Sequence, residues 1–71
     1  MDTETFSKWL KDQLKEHHMT QVELAKRSYI TVQAISHYIS GRSMPTYPVM
    51  EAILNTLGKK LAIVNKEEEE Q

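Results

Sequence analysis

The chain has no cysteine among its 71 residues, so neither a disulfide nor a cysteine-based zinc site supports it. Two glycines and two prolines are too few for the many tight turns of a β-sandwich or barrel. No apolar run approaches the ~20 residues of a membrane span or the core of a signal peptide. Nor is there the excess of positive charge usual in nucleic-acid binders: nine basic residues face ten acidic ones, a net charge of −1. No nucleophile elbow, phosphate-binding loop or paired carboxylate occurs, and so short a chain has little room for a substrate pocket. The sequence therefore reads as a non-enzyme. His17 and His18 are adjacent, so on a helix they point in different directions. With no cysteine or carboxylate cluster to complete a site, neither a metal nor a cofactor is expected.

What remains suits a small helical core. Hydrophobic residues make up 39% of the chain, enough for one domain near the lower size limit for folding without staples. Phe6, Trp9, Leu10 and Leu14 recur at spacings of three and four, which predicts a first helix from Thr3 or Thr5 to His17. Lys8, Lys11, Asp12, Lys15 and Glu16 lie off that stripe and read as a solvated face. Thr46 starts a last helix that tolerates Pro48 in its first turn. Val49, Met50, Ile53, Leu54 and Leu57 form its buried side, and Gly58 ends it. Residues 59–65, KKLAIVN, include the β-branched Ile63 and Val64 in a short apolar run and read as either a short strand or an irregular tail packed on that helix. The domain is expected over residues 1–65, with 66–71 a disordered acidic tail.

The stretch between these helices is the most specific. Thr20-Gln21-Val22-Glu23 fits a capping box. Leu24, Ala25, Ile30, Ile35 and Tyr38 are spaced so that two short helices can share one core, and Thr31 sits where the second begins. Only Ser28, Tyr29 and Ile30 separate them, which leaves a tight corner. Gly41 suits a left-handed cap after the second helix. Charge is concentrated too: residues 20–48 are locally positive, with Lys26, Arg27 and Arg42 against Glu23, whereas Glu67 to Glu70 make the end acidic.

Through Thr20-Gln21, Glu23-Leu24-Ala25, Ile35-Ser36 and Gly41, residues 6–58 resemble the Cro/C1-type (XRE-like) helix-turn-helix of phage repressors and related bacterial regulators. The resemblance implies an all-α, four-helix, lambda-repressor-like domain, or five elements if 59–65 forms a strand, with the motif at 20–41. It also implies a bacterial cytoplasmic protein whose partner is double-stranded operator DNA, read by a helix at about 31–40. Carried over position by position, Val32, Gln33, Ser36 and His37 fall where bases are contacted. Gln21, Thr31, Ser40 and Arg42 fall where phosphates are. Gln33 can pair with the N6 and N7 edge of adenine, and Val32 offers apolar contact to a thymine methyl.

Four positions depart from the family pattern. His18 and Tyr29 stand where glycine is preferred, Ile39 where an acidic residue is common, and Ser40 where asparagine is. Tyr29, Val32 and Ile39 would make a sticky surface for a protein. That leaves a rival to the operator-binding regulator: an antirepressor-type protein that binds a partner repressor and covers its DNA-reading surface. A third option is an antitoxin-like regulator. A homodimer paired through 61–64 would give a strand there its partner.

Overall fold

The computed structural model describes residues 2–61. Each helix begins where a polar residue precedes an apolar periodic run. The Asp2 carboxylate accepts from the Thr5 N–H at 2.7 Å and opens α1 (Thr3–Glu16). That backbone hydrogen bond holds the Asp2 carboxyl below its usual range, because it favours the charged form. Thr20 opens α2 (Gln21–Ser28) with the reciprocal box its sequence implies. Its hydroxyl accepts from the Glu23 N–H and the Glu23 carboxylate accepts from the Thr20 N–H, both at 3.1 Å. Thr31 opens α3 (Val32–Ile39), accepting from the Ala34 N–H at 3.1 Å. Thr46 opens α4 (Tyr47–Thr56) through its backbone alone; its hydroxyl caps nothing.

All four helices end in the same way. An amide just past the helix reaches back to a carbonyl in the last turn: Met19 to Leu14 at 2.9 Å, Ile30 to Ala25 at 3.0 Å, Arg42 to His37 at 2.9 Å and Lys59 to Leu54 at 2.7 Å. This pattern needs a left-handed residue immediately before the donor. Gly41 (φ 76°) and Gly58 (φ 71°) supply it after α3 and α4, but His18 (φ 51°) and Tyr29 (φ 59°) supply it after α1 and α2. The two positions where the sequence lacks the expected glycine thus keep the left-handed backbone that glycine would provide.

α1 packs on α3, and α2 packs on both α3 and α4. Phe6, Leu10, Leu24, Ile35 and Ile53 are almost wholly buried at the centre, with Leu14, Met19, Ala25, Tyr38 and Leu57 around them. Each large aliphatic chain so enclosed contributes roughly 1.5–3 kcal/mol relative to exposure. The Phe6 ring stacks on Trp9, centroids 5.7 Å apart, and meets the edge of Tyr38 at 6.4 Å. The buried Ser7 hydroxyl donates to the Ile39 carbonyl, fastening α1 to the last turn of α3.

The architecture is all-α, with no strand among the described residues. Of the two readings of 59–65, a short strand or an irregular tail, the described part, 59–61, shows no strand. Lys59 is held by the closing bond of α4, and Leu61 is half-buried without regular structure. Residues 62–65 and the acidic run at 66–71 lie outside the described residues.

Candidate nucleic-acid interface

The core fixes which side of α3 faces outward. Ile35 and Tyr38 are buried, with Ala34 and Ile39 half-buried beside them, and the side chains at 33, 36 and 37 turn away from that stripe. Val32, Gln33, Ser36 and His37 are all exposed, and Ser40 continues the same face one turn on. This brings together the four side chains placed at bases by sequence and one of those placed at phosphates. Thr31 is exposed at the head of the same helix, Arg42 is exposed just beyond its end, and Gln21 is half-buried in the first turn of α2.

The face does little structural work. Ser40 donates to the His37 carbonyl at 3.1 Å, a bond local to α3. The Thr31 hydroxyl accepts the Ala34 amide, yet its own proton remains free to donate outward. Because the caps take the third amide of α2 and of α3, the first two amides of each helix keep no internal partner among the described residues. Amides so placed favour an anion.

Electrostatically the surface is mild but of one sign. No carboxylate occurs between residues 24 and 50. Arg27 lies 3.8 Å from Glu23 in an exposed ion pair that contributes little to stability. Arg42 and Lys26 have no ion-pair partner among the described residues.

Of the three residues expected to make a sticky surface, the structure separates one. Tyr29 is 96% exposed and Val32 43% exposed. Ile39, expected beside them, is instead half-buried against the core, four residues after the buried Ile35 and on the same face of α3. Two exposed apolar residues escaped the sequence reading, Val22 at 48% and Tyr47 at 56%. Val22 was detectable: it shares a helical row with the exposed Lys26, on the far side of α2 from Leu24. Tyr47 had no such signal. No three His, Asp or Glu side chains gather into a metal site among the described residues. No helix there is long and apolar enough to cross a membrane.

A helix-turn-helix family model matches residues 10–64, most of the chain, including all of α2, the corner and α3. No curated protein and no solved structure matches it. The chain belongs to the Cro/C1-type (XRE-like) helix-turn-helix family of DNA-binding regulators.

Proposed function

We propose that the protein is a small transcriptional regulator that lays α3 in the major groove of an operator, with two copies on two half-sites. The observation that carries this reading is the exposed face of Val32, Gln33, Ser36 and His37 on a helix whose other side is locked into the core. Such a face is rigidly presented and chemically unspent. Gln33 reads adenine with its paired donor and acceptor, and Val32 meets a thymine methyl. His37, one turn further along, donates to a base edge. Gln21, Thr31, Ser40 and Arg42 set the register on the phosphates and carry no sequence information themselves. Two copies would space their half-sites by about 34–36 Å, one turn of the duplex or a multiple of it.

The test is a binding series on a duplex selected from a random pool. Gln33→Ala should cost roughly 1–3 kcal/mol on the selected site and relax the choice at one base pair, whereas Arg42→Ala should weaken all sequences alike. Each phosphate neutralised by Lys or Arg contributes about −0.9 to the slope of log K against log [salt], so one Arg42 contact from each of two copies gives a slope near −2. Affinity should then fall only about tenfold between 50 and 200 mM salt, against the ~10³–10⁵ of proteins making six to ten such contacts. A selection that enriches no sequence, or a neutral Gln33→Ala on an enriched one, would refute the reading.

The exposed Tyr29 and Val32, with Val22, favour a second reading, in which the same region docks on a partner repressor and displaces it from DNA. Titration into a repressor–operator complex separates the two. Release of the repressor without new DNA binding supports the antirepressor, and a sequence-selective complex of this protein alone supports the operator reader.

A further inference from the structure

The two helix ends that lack glycine share one arrangement. His18 (φ 51°) and Tyr29 (φ 59°) are left-handed, and each stands two residues before the threonine that opens the next helix, Thr20 or Thr31. Between each pair lies one apolar residue, Met19 or Ile30, that belongs to the core or packs against it. Both His18 and Tyr29 are exposed, Tyr29 to 96%. Neither side chain makes a hydrogen bond or an ion pair among the described residues. Folding thus gains nothing visible from them, while the left-handed backbone favours glycine over either. Residues held in such a conformation with no local gain cluster where a ligand is gripped.

The two corners adjoin the elements that the operator reading sets on phosphates. Tyr29 is two residues from Thr31 and His18 three from Gln21, at most about 7 and 10 Å along the chain. Their polar tips, a phenol O–H and an imidazole N–H, are donors, and a phosphate oxygen accepts from donors whether charged or not. Cations for that task are few, since between residues 24 and 50 only Lys26 and Arg42 lie outside an ion pair among the described residues. Resting on the operator reading, we propose that His18 and Tyr29 are positioning residues for DNA. Each donates to a backbone phosphate, His18 beside the start of α2 and Tyr29 beside the start of α3. Glycine at either corner would keep the backbone and lose the contact. A protein partner seated on the Tyr29 ring, by contrast, would need neither His18 nor the phenol hydroxyl.

Glycine variants remove these side chains while keeping the left-handed corners, and circular dichroism confirms unchanged helicity. Affinity is measured over a salt series on the selected duplex and on an unrelated one, with Gln33→Ala alongside. His18→Gly and Tyr29→Gly should each weaken both duplexes about three- to tenfold, the worth of one hydrogen bond, and leave the preference between them unchanged. Tyr29→Phe lacks only the hydroxyl and should lose as much as Tyr29→Gly. Its slope of log K against log [salt] should match the native chain, because an uncharged donor releases no counterion. Native affinity in Tyr29→Phe or in either glycine variant overturns the proposal. So does a loss confined to the selected duplex, which marks a base contact. If Gln33→Ala relaxes base choice while the corner variants bind normally, the operator reading stands and this proposal alone falls. If no duplex is bound selectively, both fall.

Discussion

Tyr29 is the residue whose backbone and side chain make opposite demands, and replacing it tests the corner of the motif directly. Its φ of 59° and ψ of 39° are left-handed, a conformation that costs an L-residue roughly 1–2 kcal/mol. With 96% of its surface in water, the side chain returns almost no burial for that cost. Tyr29→Gly removes the strain but adds freedom to the unfolded chain, a penalty of roughly 0.5–1 kcal/mol. The two terms leave stability unchanged or raised by about 1 kcal/mol. For a domain of this size the upper figure corresponds to a midpoint rise of about 4–8 °C. Tyr29→Ala is the control, because it keeps the strain and loses an equally exposed side chain. Urea denaturation followed by far-UV circular dichroism measures both, with the slope m checked for constancy. A loss of more than about 1 kcal/mol for Tyr29→Gly would refute the reasoning, showing that the ring is packed or the backbone ordinary. A stable Tyr29→Gly that no longer binds a partner would show why the tyrosine is tolerated there.

Two further outcomes concern the frame that holds α3. Asp2 has its folded pKa lowered, chiefly by the Thr5 amide. Its help to α1 is therefore full above the ordinary carboxylate value and lost as pH falls through the lowered one. Relative to the intrinsic exchange rate at each pH, the protection of the Thr5 amide should fall below about pH 4, and Asp2→Asn should flatten that dependence. Ile35→Ala, at a wholly buried position, should cost about 2–5 kcal/mol in denaturant melts. A cost under about 1 kcal/mol would mean α3 is not anchored through this side chain.

The features legible in the sequence are those set by neighbours a few residues apart. The capping box at Thr20 and Glu23, the cap at Thr31 and the apolar stripe of α1 depend on the local chain, and all are present as read. Even the left-handed corner at Tyr29 was visible, because the position relative to α2 demands that conformation whatever residue stands there. The half-burial of Ile39 was legible too, since it stands four residues after the buried Ile35 on the same face of α3. Thr46 stands at the head of α4 like the other threonine caps, yet its side chain accepts nothing. An apolar groove beside Trp9 could not be read at all, since α1, α4 and residues 59–61 form it only after folding. For the DNA interface, spacing gives the exposed face of α3, but no residue pattern states what that face touches.

The low charge of the chain bears on how such a face would discriminate. Non-specific binding to DNA is almost wholly electrostatic, whereas specific binding adds hydrogen bonds and apolar contacts at base edges. A face of this kind, with Arg42 and Lys26 the only cations of residues 24–50 outside an ion pair among the described residues, on a chain of net charge −1, would weaken the first contribution more than the second. Among the described residues the side chains of Gln33, Ser36 and His37 make no hydrogen bond to another element, so they can be matched to a site without loss of stability. Ile35 and Tyr38 on the other side of α3 hold their presentation fixed. The ratio of specific to non-specific affinity, which governs how a site is found among many competing ones, is then raised by the very shortage of charge that lowers each affinity separately. A near-neutral chain is thus compatible with operator reading, provided that base contacts rather than phosphates supply most of the binding energy.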